Sequence, residues 1–584
     1  MDHPKKWNLA RASDAAEALG LQLRTSPLIA QLLINRGITH PEDGRNFLRP
    51  TLKLLHEPLL IPNLQKAGER IAKAIKDRQK IVIYGDYDVD GITATAIMWH
   101  AIRTLGGDVH YYIPHRIEEG YGLNAEAVKQ ICDGGAGLIV TVDCGITAVA
   151  PAAIAKERGV DLIISDHHEW HDDGHGASFP DCYAIVHPRL PQETPYPNPH
   201  LCGAGVAFKL AWATGLAVSG AVKVNEAFRN YLIDATAFAA LGTIADVVPL
   251  VGENRILAHF GLGGLKASKL TGIQALIAAS NLSGQTLDSY HVGFLLAPRL
   301  NAAGRMGHAR LAVEMMTTAD GPRAMEIATY LEEQNRERQA VEKQILNQAL
   351  EQAQQLNCAG DDCRGIVLGG AGWHPGVIGI VASRIVDRFH KPAIIVALGE
   401  EIGQGSGRSI SGFHLAKALD ACDGCLEGHG GHEMAAGLRV KPEKFEEFRK
   451  TFTDYARTAV TPEMLVRELH LDVQAELRSL NESLVNELQR LGPFGMGNRR
   501  PVLFLPAVEL AGPPRRVGKT GDHLQLFVKQ GQARMKCIAF NAGAMFDKLK
   551  TGMSIDLAAE PQVSEFNGRT SVELQVKDLS LGGS

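Results

Sequence analysis

Carboxylates and imidazoles recur in this sequence directly after short apolar runs. Ile81 to Tyr84 leads into Gly85-Asp86-Tyr87-Asp88-Val89-Asp90-Gly91, Leu138 to Val142 into Asp143-Cys144-Gly145, and Leu162 to Ile164 into Ser165-Asp166-His167-His168. Apolar runs of this length suit buried parallel strands. In an open parallel sheet, ligands bind beyond the carboxyl ends of the strands. Three separate segments therefore deliver acids and imidazoles to one edge. Asp246, within Ile244-Ala245-Asp246-Val247-Val248, adds a carboxylate in an apolar setting. Bare anions at close range raise one another's pKa, and divalent cations resolve that conflict. Oxygen donors with one or two imidazoles favour Mn2+ or Mg2+ over a thiolate-type zinc site. Two such ions can activate a water and stabilise the oxygens of an in-line phosphoryl displacement.

Taken singly, each motif has a plainer reading. Asp-x-Asp-x-Asp-Gly also opens an EF-hand loop, but the twelfth position counted from Asp86 is Ile97, not the Glu that loop requires. Asp-His-His alone is a helix cap followed by exposed histidines, and Asp246 alone is a cap or a buried-pair residue. Their joint placement at consecutive strand ends selects the metal site. Two other patterns are rejected. Cys422-x2-Cys425-x3-His429-x2-His432 separates its ligand pairs too tightly for a finger or ribbon site. Gly203-Ala204-Gly205 has Phe208 where a dinucleotide loop needs its third glycine.

The elements that must position these groups follow from the pattern. An amphipathic helix is expected over 63–80, and alternation of strands with helices predicts a doubly wound α/β sheet. Residues 203–245 read as mainly helical. Residues 321–356 form a long polar helix, with Val341, Ile345, Ala349 and Ala353 spaced by four, suited to connect two lobes. A second α/β pattern begins at Gly365. Residues 462–490 read as helical, and five short strands beyond Pro501 predict a small barrel such as an OB-fold.

The Asp-x-Asp-x-Asp-Gly, Val-Asp-Cys-Gly, Asp-His-His and Ala-Asp-Val motifs, in this order, resemble the DHH family of phosphoesterases, and within it the RecJ-type exonucleases, over nearly the whole chain. The resemblance implies a two-lobed DHH/DHHA1 architecture: an N-terminal extension (1–60) packing on the catalytic lobe, a DHH catalytic domain with a parallel sheet (61–318), a connecting helix (319–358), a DHHA1 nucleic-acid-binding α/β lobe (359–460), and a helical linker with an OB-like DNA-binding barrel (461–584). It implies Asp88, Asp90, Asp143, His167 and Asp246 as metal ligands, with Asp143 bridging two ions and His168 near the scissile phosphate. Many members carry a His four residues before the first ligand Asp. This chain has Tyr84 there, and Asp86 is offered as the compensating ligand.

The segment Arg299-Leu300-Asn301-Ala302-Ala303-Gly304-Arg305 also resembles the RecJ type. It reads as a compact loop in which Arg299, Asn301 and Arg305 hold phosphate. Arg116 and Tyr121, in a segment with the same resemblance, are expected to contact phosphate and stack a base. Trp373, His374, Arg384, Arg408, Ser409, Gly431 and His432 fall in or beside three glycine-rich segments that resemble DHHA1, where glycines would let backbone approach phosphates. Arg515, Arg516 and Lys519 lie near loops of the expected barrel, which suits single strands.

Composition narrows the setting. A net charge of −5 argues against a uniformly basic coat but leaves room for a local basic groove. The nine dispersed cysteines and the absence of an apolar leader or membrane-length run fit a cytoplasmic chain with reduced thiols. The resemblance implies a single-stranded-DNA-specific 5′-to-3′ exonuclease of recombination and repair, using two Mn2+ or Mg2+ ions. It would act as a monomer beside single-strand-binding protein, away from membranes. The rivals are a DHH phosphodiesterase of oligoribonucleotides or cyclic dinucleotides, or of polyphosphate, and a catalytically dead DHH-like scaffold that only binds DNA. The barrel speaks against the first and the intact acids against the second.

Overall fold

Strand β1 (Lys80–Gly85) is the hub of the first unit, and its alternation explains the layers around it. Ile81 and Ile83 point into the larger core, while Val82 and Tyr84 point to the opposite face. Both faces are apolar because helices cover both, as a parallel sheet requires. With β2 (Asp108–Tyr112), β3 (Leu138–Val142), β4 (Asp161–Ser165) and β5 (Ala184–Val186) the sheet has the order β2-β1-β3-β4-β5, and all its pairings are parallel. The strand order reverses between β1 and β3, which makes their carboxyl ends the switch-point crevice. This computed structural model describes residues 5–115, 119–120, 122–170, 178–305, 307–566 and 569–581.

Helix α1 (Val89–Thr104) starts directly behind the first acid cluster and packs against α2 (Gly203–Ser219) and α3 (Glu226–Ala245). It is buried nearly all round, which explains its run of Ile, Ala and Thr instead of an amphipathic stripe. Asp88 caps α1, its carboxylate accepting from the Gly91 N–H at 3.1 Å. The 299–305 segment, expected as a loop, is helix α4 (Ala297–Arg305) and continues a π-helical turn, His291–Leu296. Leu300, Ala302 and Ala303 are buried there, and helix lets them reach the core.

Helix α5 (Gly321–Gln355) is the long polar helix of the sequence reading. Ile345, Ala349 and Ala353 are buried in a core with α6 (Pro375–Phe389), and Val341 packs at its edge. The chain is organised as two units. One comprises Ile38–Asn335 with Gln489–Arg500, the other Met1–Gly37, Arg336–Leu488 and Pro501–Ser584. The N-terminal extension, expected on the catalytic lobe, therefore divides. Residues 38–60 belong with the first unit, whereas strand Lys6–Leu9 pairs in parallel with Glu468–Leu471 of the second.

In the second unit β6 (Ile366–Ala371) and β7 (Ala393–Leu398) are parallel, and β8 (Gly403–Arg408), β9 (Gly428–Gly431) and β10 (Ala435–Val440) complete a mixed sheet, β9-β10-β8-β7-β6. Two of the three glycine-rich segments are thus strands. A Cβ at Gly405 would meet the Leu438 side chain at 2.7 Å, and one at Gly407 would meet Leu415 at 2.8 Å. These glycines lie within a strand, not a turn, and admit close packing. Residues 462–490, expected helical, contain only one short α-helix, Glu482–Gln489, and two single 3-10 turns, Glu463–Leu465 and Leu477–Ser479; Glu468–Leu471 is a strand because it finds a strand partner in the N-terminus. The C-terminal barrel is present: Leu503–Leu510, Ser554–Phe566, Arg569–Ser580, Ala533–Ala539 and His523–Gln530 follow one another, and the last pairs back on the first.

Candidate metal centre and nucleic-acid contacts

The carboxyl ends of β1, β3 and β4 and the end of α3 converge. Ligand atoms of Asp86, Asp88 and Asp143 lie within 4.8 Å of one another, as do those of Asp90, His167 and Asp246, and those of Asp143, His167 and His168. His167 Nε2 is 3.1 Å from Asp143 Oδ1, 3.6 Å from Asp90 Oδ2 and 3.7 Å from Asp246 Oδ2. Asp143 thus stands between an all-carboxylate group and a carboxylate–imidazole group.

Several members are fixed by their surroundings. The Asp90 carboxylate accepts from the N–H groups of Gly203 (2.6 Å) and Ala204 (2.8 Å), at the N-terminus of α2, where the helix dipole favours an anion. Asp143 has φ of 63°, a left-handed conformation that Asp tolerates better than most residues. Its N–H donates to the Ser165 carbonyl. Asp166 is not aimed at the cluster. Its carboxylate accepts from the N–H groups of Ile146, His167 and His168 and from His168 Nδ1 at 2.8 Å, and so orients the two histidines. The Arg189 guanidinium donates to the His167 carbonyl at 2.6 Å.

Three glycines, of which only Gly91 belongs to the acid motifs quoted from the sequence, make this proximity possible. A Cβ on Gly203 would lie 2.5 Å from Asp143, one on Gly242 2.5 Å from Asp90 Oδ1, and one on Gly91 2.6 Å from Asp86. Gly203, which in sequence suggests only part of a dinucleotide loop, is a spacer beneath the cluster. Tyr84 is turned away into the opposite core, where its hydroxyl donates to the Gly122 carbonyl at 3.0 Å and its ring stacks on Tyr112. Asp86, by contrast, is beside Asp88 and Asp143.

Burial, and then the surrounding carboxylates, push Asp143 well above its ordinary value and raise Asp88 as well. The same causes raise Asp246 to about 8. Burial pushes His167 down to about 4, which keeps its imidazole neutral and able to donate a lone pair. For His168 burial opposes the charge, but the hydrogen bond and charge of Asp166 win and raise it to about 9. Asp143 Oδ1 and His167 Nε2 are buried without a hydrogen bond. Buried polar atoms in that state need a partner. A hard divalent cation held by carboxylates and a neutral imidazole meets that need.

The expected phosphate residues divide. Arg299 is mostly buried and ion-paired with Glu332 at 2.6 Å. Asn301 Oδ1 accepts from the Val89 N–H at 3.3 Å, tying α4 to the first acid cluster. A Cβ at Gly304 would fall 2.4 Å from the Tyr87 carbonyl, so α4 rests directly on that loop. Arg305 lies four residues beyond Asn301 and shares its helix face. Arg116 and Tyr121 lie outside the described residues.

In the second unit, Trp373 is buried and donates from Nε1 to Gln348 at 2.6 Å, so it is a core residue with no face open to a base. Ser409 is buried, its hydroxyl donating to the Phe413 carbonyl at 2.6 Å. His374 caps α6, its Nδ1 accepting from the Gly376 N–H. Arg384 remains more than half exposed beside Glu342. Arg408 donates to Ser406 Oγ and the Gly407 carbonyl and has no acidic partner among the described residues. Gly431, with φ of 147°, is the exposed last residue of β9, where a Cβ would meet the Ala435 carbonyl at 2.5 Å, and His432 follows in an exposed turn. On the barrel, Arg515, Arg516 and Lys519 are exposed, with Arg516 over the Phe546 ring. Cys422 is buried in the core, and Cys425 Sγ faces Thr451 Oγ1 at 3.9 Å.

The sequence matches the N-terminal domain of the DHH family over residues 80–240, the DHHA1 domain over 362–458 and the RecJ OB domain over 471–578. It is 38% identical to the single-stranded-DNA-specific exonuclease RecJ of Bacillus subtilis, covering 99% of this chain and 71% of that protein. It is 34% identical to RecJ of Salmonella typhimurium, covering 98% and 99%. Among solved structures it resembles RecJ from Thermus thermophilus in complex with Mn2+ (TM-score 0.84, 31% identity, 99% of this chain and 80% of that one) and in complex with Mg2+ (TM-score 0.77, 28% identity, 99% and 79%). Matched along nearly its whole length by proteins of one kind, the chain belongs to the RecJ family of DHH phosphoesterases.

Proposed function

We propose that this protein is a metal-dependent, single-stranded-DNA-specific exonuclease that hydrolyses phosphodiester bonds from the 5′ end. The observation that carries this reading is the convergence of Asp86, Asp88, Asp90, Asp143, His167 and Asp246 in a chain of the RecJ family. Asp86, Asp88 and Asp143 would hold one divalent ion, and Asp90, Asp143, His167 and Asp246 a second, with Asp143 shared. Mn2+ or Mg2+ bound there supplies a water of lowered pKa and charge neutralisation for the displaced oxygens.

The chain's own groups do the rest. The α2 N-terminus fixes the Asp90 carboxylate, and Asp166 fixes both histidines. His168, protonated near neutral pH and beside the cluster, presents positive charge where a phosphate would enter. Arg305 and Asn301 lie on the helix that braces the first acid loop, and Arg299 positions that helix through Glu332. Residues 61–318 are read as the catalytic domain, 319–358 as the connecting helix, 359–460 as the DHHA1 lobe and 461–584 as linker and DNA-binding barrel, with 1–60 as an N-terminal extension. No helix among the described residues is long and apolar enough to cross a membrane. A monomeric cytoplasmic enzyme of recombination and repair, working beside single-strand-binding protein, fits these features.

The test is Mn2+ added in parallel to single-stranded DNA labelled at either end, duplex DNA, an RNA dinucleotide and polyphosphate. Mononucleotide release from the 5′ end of single strands alone, abolished by chelator, is expected. Equal turnover of the dinucleotide or polyphosphate, or full activity in a metal-free sample, would refute the proposal.

A further inference from the structure

Beside Asp246 the chain builds an apolar groove that the metal site does not use. Val247, the next residue, has φ of 60°, a conformation that costs a β-branched side chain energy, and it is 59% exposed. From Ile244 to Leu250 the chain forms one side of a groove of about 950 Å3. The segment 489–500 forms another. It is held rigid by the buried Asn498 amide, which donates to the Leu491 and Pro493 carbonyls at 2.9 and 2.8 Å, and by the Leu250 N–H, which donates to the Met496 carbonyl at 2.7 Å.

The third side carries Tyr290 and Phe294. Their rings stack with centroids 5.0 Å apart and planes 27° from parallel, yet 58% and 69% of these residues face solvent. Two large aromatics stacked on each other and mostly open to solvent form an exposed apolar patch, the kind of surface that marks an interaction site. Tyr290 immediately precedes the π-helical turn and Phe294 lies within it, an irregularity that recurs at functional sites. The same continuous helix then becomes α4, so Phe294 lies about 10 Å along the axis from Asn301. The rim is basic: Lys266, Arg490 and Arg499 are exposed, and Arg500 lies over the Phe494 ring at 4.6 Å with Asp288 3.7 Å away.

We propose that Tyr290 and Phe294 form a stacking platform for an unstacked base of the DNA strand, with Lys266, Arg490, Arg499 and Arg500 holding adjoining phosphates. This rests on the reading of single-stranded DNA as substrate. A π-face next to clustered cations suits a polyanion with aromatic bases, and stacking of this kind tolerates any sequence. A second copy of this chain is a poorer occupant, because a two-fold contact would set the four cations against themselves.

The experiment measures anisotropy of labelled single-stranded DNA in chelator, with an abasic residue walked along the strand one position at a time. The parent is expected to lose affinity at one or two positions. Tyr290→Ala/Phe294→Ala should weaken binding of intact DNA roughly tenfold or more and show no further loss at those positions. Tyr290→Leu/Phe294→Leu, which keeps apolar volume, should behave like the Ala pair, and Tyr290→Phe like the parent. Equal thermal midpoints establish folding. A parent that degrades single strands with Mn2+ but shows no position dependence overturns the platform alone. A folded double variant with parental affinity overturns it too, as does a parent whose self-association is abolished by the double variant while DNA binding stays intact. A parent that neither binds nor cuts single strands overturns both readings.

Discussion

The acid cluster and the glycine-rich second lobe are both legible as motifs, but they are built in opposite ways. In the cluster, side chains point at one another, Asp88 and Asp90 held by backbone N–H groups and His168 by the Asp166 carboxylate, and three glycines keep the space between them clear. In the second lobe, the candidates scatter. Trp373 and Ser409 are core residues, Arg408 is half-buried on its strand, and His432 stands on an exposed turn. Metal chemistry demands convergence to within a few ångströms, so its residues constrain one another. Strand binding is a sum of dispersed charge and stacking terms, and any one of them can be absent.

That contrast predicts unequal consequences of mutation. The largest belongs to Asp143→Ala, which removes the carboxylate shared by both ligand groups. Turnover should fall on the order of 10³-fold or more, while strand binding in chelator stays within a few-fold of the parent. Circular dichroism must show both proteins folded. Next comes Gly203→Ala. A methyl group placed 2.5 Å from Asp143 must displace it, and a shift near 1 Å should cost roughly 10²-fold in turnover. A Gly203→Ala protein of parental activity would show that the spacing is not needed.

A pH effect follows from the raised carboxyls. Asp246 is pushed from 3.8 to about 8. A carboxyl raised in the folded state contributes stability that is fully present below its unfolded value and lost as pH rises through the folded one. Metal-free protein should therefore melt lower at pH 8 than at pH 5.5, by roughly 2–8 °C for an effect of about 1–2 kcal/mol. The stabilisation by Mn2+ should grow over the same interval. A melting profile flat across it would contradict the electrostatic reading. The smallest effect is expected in the second lobe: Arg408→Ala should raise the DNA dissociation constant roughly three- to tenfold, as for one charge-assisted phosphate contact, with little change in single-turnover cleavage at saturating DNA.

What sequence can convey follows the same division. The central strands are readable because burial on both faces leaves unbroken apolar runs, and the acids because they follow those runs directly. Edge strand β2, Asp108–Tyr112, escapes such a reading because its exposed Asp108 and His110 interrupt any such run. Gly203 and Gly242 escape it because their role is a distance to Asp143 and Asp90, which lie far away in sequence. Arg299 to Arg305 reads as a loop because the charged and amide residues draw attention from Leu300, Ala302 and Ala303, which need a helix to reach the core. Glycines 405 and 407 suggest phosphate, and the sequence gives no sign that they also leave room for the Leu438 and Leu415 side chains.

The central claim is that Asp143 joins two ion sites, and counting bound ions tests it most directly. Titration of Mn2+ into chelator-stripped protein, followed by electron paramagnetic resonance, should give two ions per chain in the parent, magnetically coupled through a shared ligand. In folded Asp143→Ala the coupling should vanish and the stoichiometry drop. Two coupled ions persisting in that variant, or a parent that binds only one, would contradict the account at its centre.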